Sequence, residues 1–422
     1  MIERFLGRIA ALLLAAAALA LPAAAQDAKF TIAVIPDTQN YMDYTHQKAE
    51  GFPFDANAQF LEQMRFIAAN VESAGGEIAF VSAVGDVWQH QTLPIDPVHA
   101  ARGFKRVANP MLDRFVRFSE KVPTVEMPKA AEGYRLIAGK VPFSVVPGNH
   151  DYDAMWPVDP PKGADGKPTV PFLLHVGGLN NFSSVFGPQA EFFRDKPWYV
   201  SANAGGGDSA QIFTAGGYRF LHIGLQFNPP NSSLRWAERV MRRYRGLPTI
   251  VSTHDFLDTQ GRRLPNPIVD PAAVDPEDNS PEDMWQKLIS RHDQIFMVLS
   301  GHEHGQSRRI DLNRRGNTVH QILADYQDRG QSARDAGAKQ TSIGDGWLRL
   351  MEFDMAGAVP VVRVRTWSTH YKAGSGQMPL YAAWYRPHEQ PKMSDAEFLA
   401  ADEFTLALTD FRKRFDRRGR VR

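Results

Sequence analysis

Cysteine is absent from the 422-residue chain, which excludes disulfide frameworks, thiolate nucleophiles, iron–sulfur clusters and Cys-ligated zinc. Excess charge of one sign is absent too. The 48 basic residues stand against 47 acidic ones, so composition gives no electrostatic case for nucleic acid as the main partner. A bilayer-spanning apolar stretch is also missing: the run Ile9–Leu21 has about 13 residues, where a crossing helix needs roughly 20. What is present is ordinary globular usage, 43% apolar and 23% charged, sufficient for a sizeable core.

The short apolar run has its own meaning. Arg4 and Arg8 precede it, and Pro22 with Ala23, Ala24 and Ala25 follow as an A-x-A site. This is the pattern of a secretory signal peptide over residues 1–25, cleaved before Gln26, with no transmembrane span left after its removal. The mature product is then formally neutral and periplasmic or secreted; export without cysteine suits a bacterial periplasm. No composition break, internal repeat or heptad pattern divides the rest. One α/β domain over residues 26–411 is expected, followed by a basic C-terminal tail, 412–422, that reads as a solvated end.

Within that domain one arrangement recurs: a β-rich apolar run ending in polar residues. Phe30–Ile35 leads to Asp37 and Gln39, and Ile78–Val84 leads to Gly85-Asp86. Val141–Val146 leads to Gly148-Asn149-His150-Asp151, Thr249–Ser252 to His254, and Ile295–Leu299 to Gly301-His302-Glu303-His304. Such runs predict strands buried on both faces. Helical spacing at Phe60, Met64, Ile67, Ala68 and Val71, with Asp55 and Asn57 as caps, and helices at 234–244 and 281–291 alternate with them. Further β-like runs at 218–225, 318–323, 347–353 and 359–366 have less helix between them. The pattern predicts mixed sheets, two of them packed together with helices outside. Turn-rich stretches at 156–171, 201–209 and 258–283 read as loops.

Singly, each polar cluster is an ordinary turn or cap. In order, each just past a strand end, they suit hydrolysis of a phosphate ester. That reaction needs hydroxide at neutral pH and neutralised charge on the attacked and leaving oxygens, which two bridged divalent cations supply. Asp86 is the expected bridge. Asp37, Gln39 and His304 would serve the first ion, and Asn149, His254 and His302 the second. His302 and His304, two apart in an extended segment, would point the same way. The glycines before Asp86, Asn149 and His302 permit sharp turns and close approach.

These motifs resemble those of the calcineurin-like metallophosphoesterases: D-x-H, G-D, G-N-H-[DE], a later His, then G-H-x-H. The resemblance implies a four-layer α/β fold, two packed mixed β-sheets flanked by helices, and a centre of two divalent metal ions, Mn, Fe or Zn, with Mg or Ca as further choices. It implies that His150 acts on the phosphoryl group or the leaving oxygen, with Asp151 orienting it. Later segments around Asp325-Tyr326-Gln327 and Trp347–Phe353 are similar to those of exported bacterial members with a D-T-Q start.

Two features depart from the pattern. Gln39 stands where many members have His; an amide oxygen is a harder, more weakly basic donor, which loosens the first site. Val87-Trp88-Gln89-His90 replaces the usual residues after G-D, and Trp88 and His90 read as packing. His222 reads as a satisfied core histidine, and His46 as lining the cleft or exposed in a loop. Arg308 and Arg309 are anion contacts or solvated strand-end charges, and Asp325-Tyr326-Gln327 ends a strand near the cleft or caps a turn. The expected activity is phosphomonoester or phosphodiester hydrolysis by a metal-bridging hydroxide, on a small or polymeric substrate. A noncatalytic envelope-binding protein and a nuclease are the alternatives; the neutral charge and lack of a basic stripe speak against the nuclease.

Overall fold

The computed structural model describes residues 28–421 apart from 115, 117, 340 and 341; the expected signal peptide lies outside the described residues. The first strands are β1 (Lys29–Ile35), β2 (Ile78–Ala83) and β3 (Phe143–Val145), followed by the pair β4 (Ala154–Val158) and β5 (Leu173–Gly177). Next come β6 (Tyr199–Asn203), β7 (Asp208–Ala215), β8 (Tyr218–Gly224), β9 (Thr249–Ser252) and β10 (Ile295–Ser300). The chain continues through β11 (Gly305–Leu312), β12 (Thr318–Asp325), β13 (Trp347–Asp354), β14 (Val361–Ser368), β15 (Ala373–Gly374) and β16 (Phe404–Ala407).

Two seven-stranded sheets result. One has the order β15-β14-β13-β1-β2-β3, with β16 beside β14; the other runs β11-β12-β10-β9-β8-β7-β6. Both are mixed: β1, β2 and β3 are parallel to one another, as are β8, β9, β10 and β12, and the outer strands are antiparallel.

Strand periodicity explains the layering. Along β1, Phe30, Ile32 and Val34 face the second sheet, while Ala33 and Ile35 face helices. The inter-sheet layer is dominated by rings: Phe80 stacks on Phe213 at 4.5 Å between centroids, and Phe30 on Phe353 at 4.6 Å. Truncating a ring buried in such a layer costs about 3–5 kcal/mol. Helices α1 (Asn57–Ala69) and α2 (Met127–Ile137) cover the outer face of the first sheet through Phe60, Met64, Ile67, Tyr134 and Ile137. Helices α3 (Asn231–Arg243) and α4 (Pro281–Lys287) cover the second through Leu234, Val240, Met284 and Trp285. The helix–sheet–sheet–helix order is the expected four-layer fold. A polar seam crosses the middle, where Ser82 Oγ meets Ser252 Oγ at 2.7 Å and His222 bonds both Gln211 and Ser252.

Several local expectations change. Helix α1 begins at Ala56 without a side-chain cap, because Asp55 accepts from the Lys48 N–H instead. Helix α4 is shorter than expected and closes with a separate turn at Ile289–Arg291, but Ser280 and Asp283 form a reciprocal capping box at its start. The stretches 156–171 and 201–209 contain strand residues of β4, β6 and β7; Pro157 and the polar Ser201–Asn203 masked the β pattern. The tail is not a solvated end. Phe411 and Phe415 are buried in the inter-sheet layer, and Arg414 donates to the Asp293, Ile295 and Thr318 carbonyls. Arg414, Arg417 and Arg418, with Arg242, Arg245, Arg291 and Arg315, line a concavity of about 490 Å³ at the amino ends of β9 and β10. A basic patch therefore exists where the sequence suggested no basic stripe: four segments assemble it.

Among the described residues, no helix is long and apolar enough to cross a membrane.

Candidate metal centre

The parallel strands of both sheets end at one edge, and there the predicted ligands meet. Asp37 follows β1, Asp86 follows β2, Asn149 follows β3, His254 follows β9 and His302 follows β10. Carboxyl ends of parallel strands are the usual ligand edge of layered α/β folds.

Four of these residues converge tightly. His254 Nε2 lies 3.2 Å from Asp86 Oδ2, 3.1 Å from Asn149 Oδ1 and 3.1 Å from His302 Nδ1. The other ring nitrogen, Nδ1, is 2.9 Å from the Val84 carbonyl oxygen, which can only accept, so Nδ1 carries the proton. His254 Nε2 thus faces two acceptor oxygens and the His302 ring nitrogen, an arrangement that a proton on Nε2 or a cation satisfies. Burial opposes protonation of His254, but Asp86 outweighs it and raises the group to about 9. His302, buried beside His254, is pushed well below the usual histidine value, and its Nε2 is buried without a partner.

The other three expected ligands are held differently. Both oxygens of Asp37 and the Gln39 Oε1 are buried with no hydrogen-bond partner. Burial, then the charges of Asp325 and Asp86, raise Asp37 well above the carboxylate range, as expected of acids gathered without a counter-cation. His304 is half exposed, its Nδ1 2.5 Å from Asp328 Oδ2 and its Nε2 2.8 Å from the Gln327 amide nitrogen. That same amide reaches Asp325 Oδ2 at 3.3 Å. The expected extended geometry of His302 and His304 is not found. His302 adopts φ 72° and the segment bends, so the two rings face opposite halves of the centre.

Backbone strain marks the same edge. Asp86 at φ 51° and His302 are left-handed non-glycine residues, a conformation costing of order 1–3 kcal/mol that persists where the surroundings impose it. Close approach sets the glycines: a Cβ at Gly148 would collide with the Asp86 carboxylate, and one at Gly301 with Asp37 Oδ1.

The His150 N–H donates to Asp86 Oδ1 at 2.8 Å, and its ring Nδ1 lies 2.6 Å from the Gln89 carbonyl oxygen. Asp151 does not orient that ring. Its carboxylate instead accepts from the Val87, Trp88 and Gly148 N–H groups, fastening two ligand loops together. Trp88 is fully buried against Phe186, and His90 pairs with Glu126 at 2.7 Å, so both pack as expected. His46 is buried against the Asn40 carbonyl. Arg309 pairs with Asp311 and Arg308 lies over Phe404; neither lines the cavity.

A cavity of about 470 Å³ opens over the centre, lined by Gln39, Asp86, Asn149, His150, His302 and His304. Gln327, noted in sequence as near the cleft, adds to its wall, and so do residues no motif announced: Asn266 and Ile268 of the long loop, Asp328, His388 and Glu389. Helix α5 (Tyr381–Glu389) brings the last two, and buried Arg329 anchors it by pairing with Glu389 at 2.8 Å and with Asp402, at the end of α6 (Asp395–Asp402), at 3.1 Å. Asp325, noted only as near the cleft, is fully buried beside Asp37.

The sequence profile of calcineurin-like phosphoesterases matches residues 30–306, which include all seven expected ligands from Asp37 to His304. The chain belongs to the calcineurin-like phosphoesterase family. This family normally uses a dinuclear metal centre and acts on phosphate esters, and the acceptor cluster around His254 with the unpartnered Asp37 and Gln39 oxygens fits such a group. The chain is also 24% identical over 239 residues to the uncharacterized protein YvnB of Bacillus subtilis. That match covers 55% of this chain and 15% of YvnB, a small part of the relative's length. A similar solved structure is GAP50, the anchor in the inner membrane complex of Plasmodium, at 11% identity. The similarity covers 82% of this chain and 86% of GAP50, with a TM-score of 0.35.

Proposed function

We propose that this protein is an exported metal-dependent phosphohydrolase that cleaves phosphomonoesters or phosphodiesters. The supporting observation is the convergence of Asp86, Asn149 and His302 acceptors on His254 Nε2, with the buried oxygens of Asp37 and Gln39 left unpartnered. Asp86 would bridge two divalent ions, with Asn149, His254 and His302 on one and Asp37, Gln39 and His304 on the other. When bound, the ions supply charge neutralisation and a nucleophile at neutral pH.

The chain's own groups account for the rest. His150 lines the cavity with Nδ1–H anchored on the Gln89 carbonyl, leaving Nε2 toward the cavity, where in its imidazolium form it would give a proton to the departing alkoxide and finish as the neutral ring. Asp151 keeps the loop of Asp86 and the loop of Asn149 and His150 in register through its three backbone bonds. The cavity excludes neither ester class, since it opens to solvent past the exposed His388 and His304 instead of closing over the centre. Export rests on the sequence of residues 1–25.

Hydrolysis of an aryl phosphate and an aryl phosphodiester, assayed with Mn, after chelation and after metal return, tests this reading. Turnover abolished by the chelator and restored by metal supports it; no turnover of either ester with any divalent metal would leave a noncatalytic binding protein.

A further inference from the structure

A second group of metal-binding side chains lies away from the strand edge described above. His175 on β5, His99 in the short helix Pro97–Ala101 and Asp275 in the loop 258–283 place one ligand atom each within 4.8 Å of one another. We propose that His99, His175 and Asp275, with Asp278 beside them, bind one divalent cation of the zinc type that fastens the long loop to β5.

The ring orientations support this. His175 Nδ1 lies 2.7 Å from the Val176 carbonyl oxygen, so it carries the proton and Nε2 is the free donor. That Nε2 is buried without a hydrogen-bond partner in a fully buried side chain, 3.9 Å from Asp278 Oδ2. His99 Nδ1 pairs with Asp96 Oδ2 at 2.5 Å, which turns its Nε2 toward Asp275 Oδ2 at 3.9 Å. Histidine ligands to zinc are commonly fixed in this way, one by a carboxylate and one by a backbone carbonyl. Tetrahedral zinc takes N and O donors at about 2.0–2.2 Å, so binding draws these atoms, now within 4.8 Å of one another, inward around the ion.

Charge agrees with geometry. Three carboxylates, Asp96, Asp275 and Asp278, gather around the two rings, and Arg102 is the arginine that pairs with them among the described residues, bonding Asp275 Oδ1 at 2.8 Å and lying 2.7 Å from its Oδ2. An adjoining cavity of about 370 Å³, lined by Asp96, His99, Arg102 and Asp278, gives an ion access. The cluster Asp43, His90 and Glu126 offers a contrast. There both Glu126 oxygens already accept, from Tyr44, Gln89 and His90.

The consequence reaches the cleft. Leu174, next to His175, donates to the Ile268 carbonyl at 2.7 Å, and Ile268 and Val269 line the cavity over the catalytic edge. A cation here would hold that wall in place, as a disulfide might in a chain that had cysteine.

The test uses the full chain carrying Asp86→Asn and His302→Ala, which clears the strand-edge centre. After zinc loading and desalting, this background keeps about one zinc per chain, and adding His99→Gln with His175→Gln abolishes it. Asp96→Asn weakens zinc binding about 10–100-fold. Zinc-edge anomalous scattering from crystals of the unaltered protein, soaked in zinc, gives a peak between His175 Nε2 and Asp275 Oδ2. A folded background that keeps no zinc, or anomalous peaks at the strand edge alone, overturns the proposal. Either result leaves the phosphoesterase reading to its own metal-dependent assay.

Discussion

The two halves of the strand-edge centre differ in how far they are assembled by the protein alone. Around His254 the donors already touch, with Asp86, Asn149 and His302 all within 3.2 Å of one nitrogen. Around Asp37 the acceptors are buried but unpartnered, and His304 is turned toward Asp328 and Gln327. The first arrangement is organised by a proton on His254, because Asp86 outweighs burial there. The second gathers Asp37 and Asp325, with His254 Nδ1 3.9 Å from Asp37 but donating to the Val84 carbonyl, and its histidine sits on a bending, half-exposed segment. Preorganisation lowers the cost of binding, so the His254 half should take the tighter ion and the Gln39 half the looser one.

The largest expected effect tests the bridge between the halves. Asp86→Asn or His150→Ala should lower turnover by about two to four decades, read as kcat on an aryl phosphate. Undiminished rates in the purified His150→Ala protein would remove the proton-donor role. A smaller effect separates the halves. Asp328→Asn removes the carboxylate that fixes His304 Nδ1, and should weaken the looser ion about 10–100-fold while sparing the tighter one. Chelator competition that shows both ions weakened equally would erase the distinction.

The smallest effect uses the polar seam as a control, since His222 is buried there with its partners in place. Burial holds folded His222 neutral down to about 3, whereas the unfolded side chain protonates near 6.5. Between those values the unfolded state binds the extra proton, so stability falls as pH falls, by about 1.4 kcal/mol per pH unit from this group. Urea unfolding at pH 7, 6 and 5 should therefore show a shallower pH slope for His222→Gln than for the parent. Identical slopes would mean that His222 titrates normally.

Much of this edge was legible because its chemistry sits in short motifs at the ends of apolar runs. Gly85-Asp86 and Gly148-Asn149-His150 fix both residue type and backbone demand within a few positions, and periodicity along β1 announces two buried faces. Other features left no such trace. Asp151 sits beside His150 in the chain, but its carboxylate is taken by the backbone of another loop. His388 and Glu389 reach the cavity only because Arg329 and Asp402 tie α5 and α6 against the sheet ends. At the start of the tail, Phe415 and the preceding Phe411 were the informative residues, but the arginines around them read as solvent-facing.

By itself the sequence determined the ligand-bearing strands, the mixed two-sheet layering and the residue types available for ligation, because hydrophobic period and local turn chemistry are short-range properties. Tertiary structure alone decided which donors touch, which oxygens are left unpartnered and which distant segments wall the cavity. Those outcomes depend on where separate strand ends and helices come to rest in space, and nothing local in the chain encodes that.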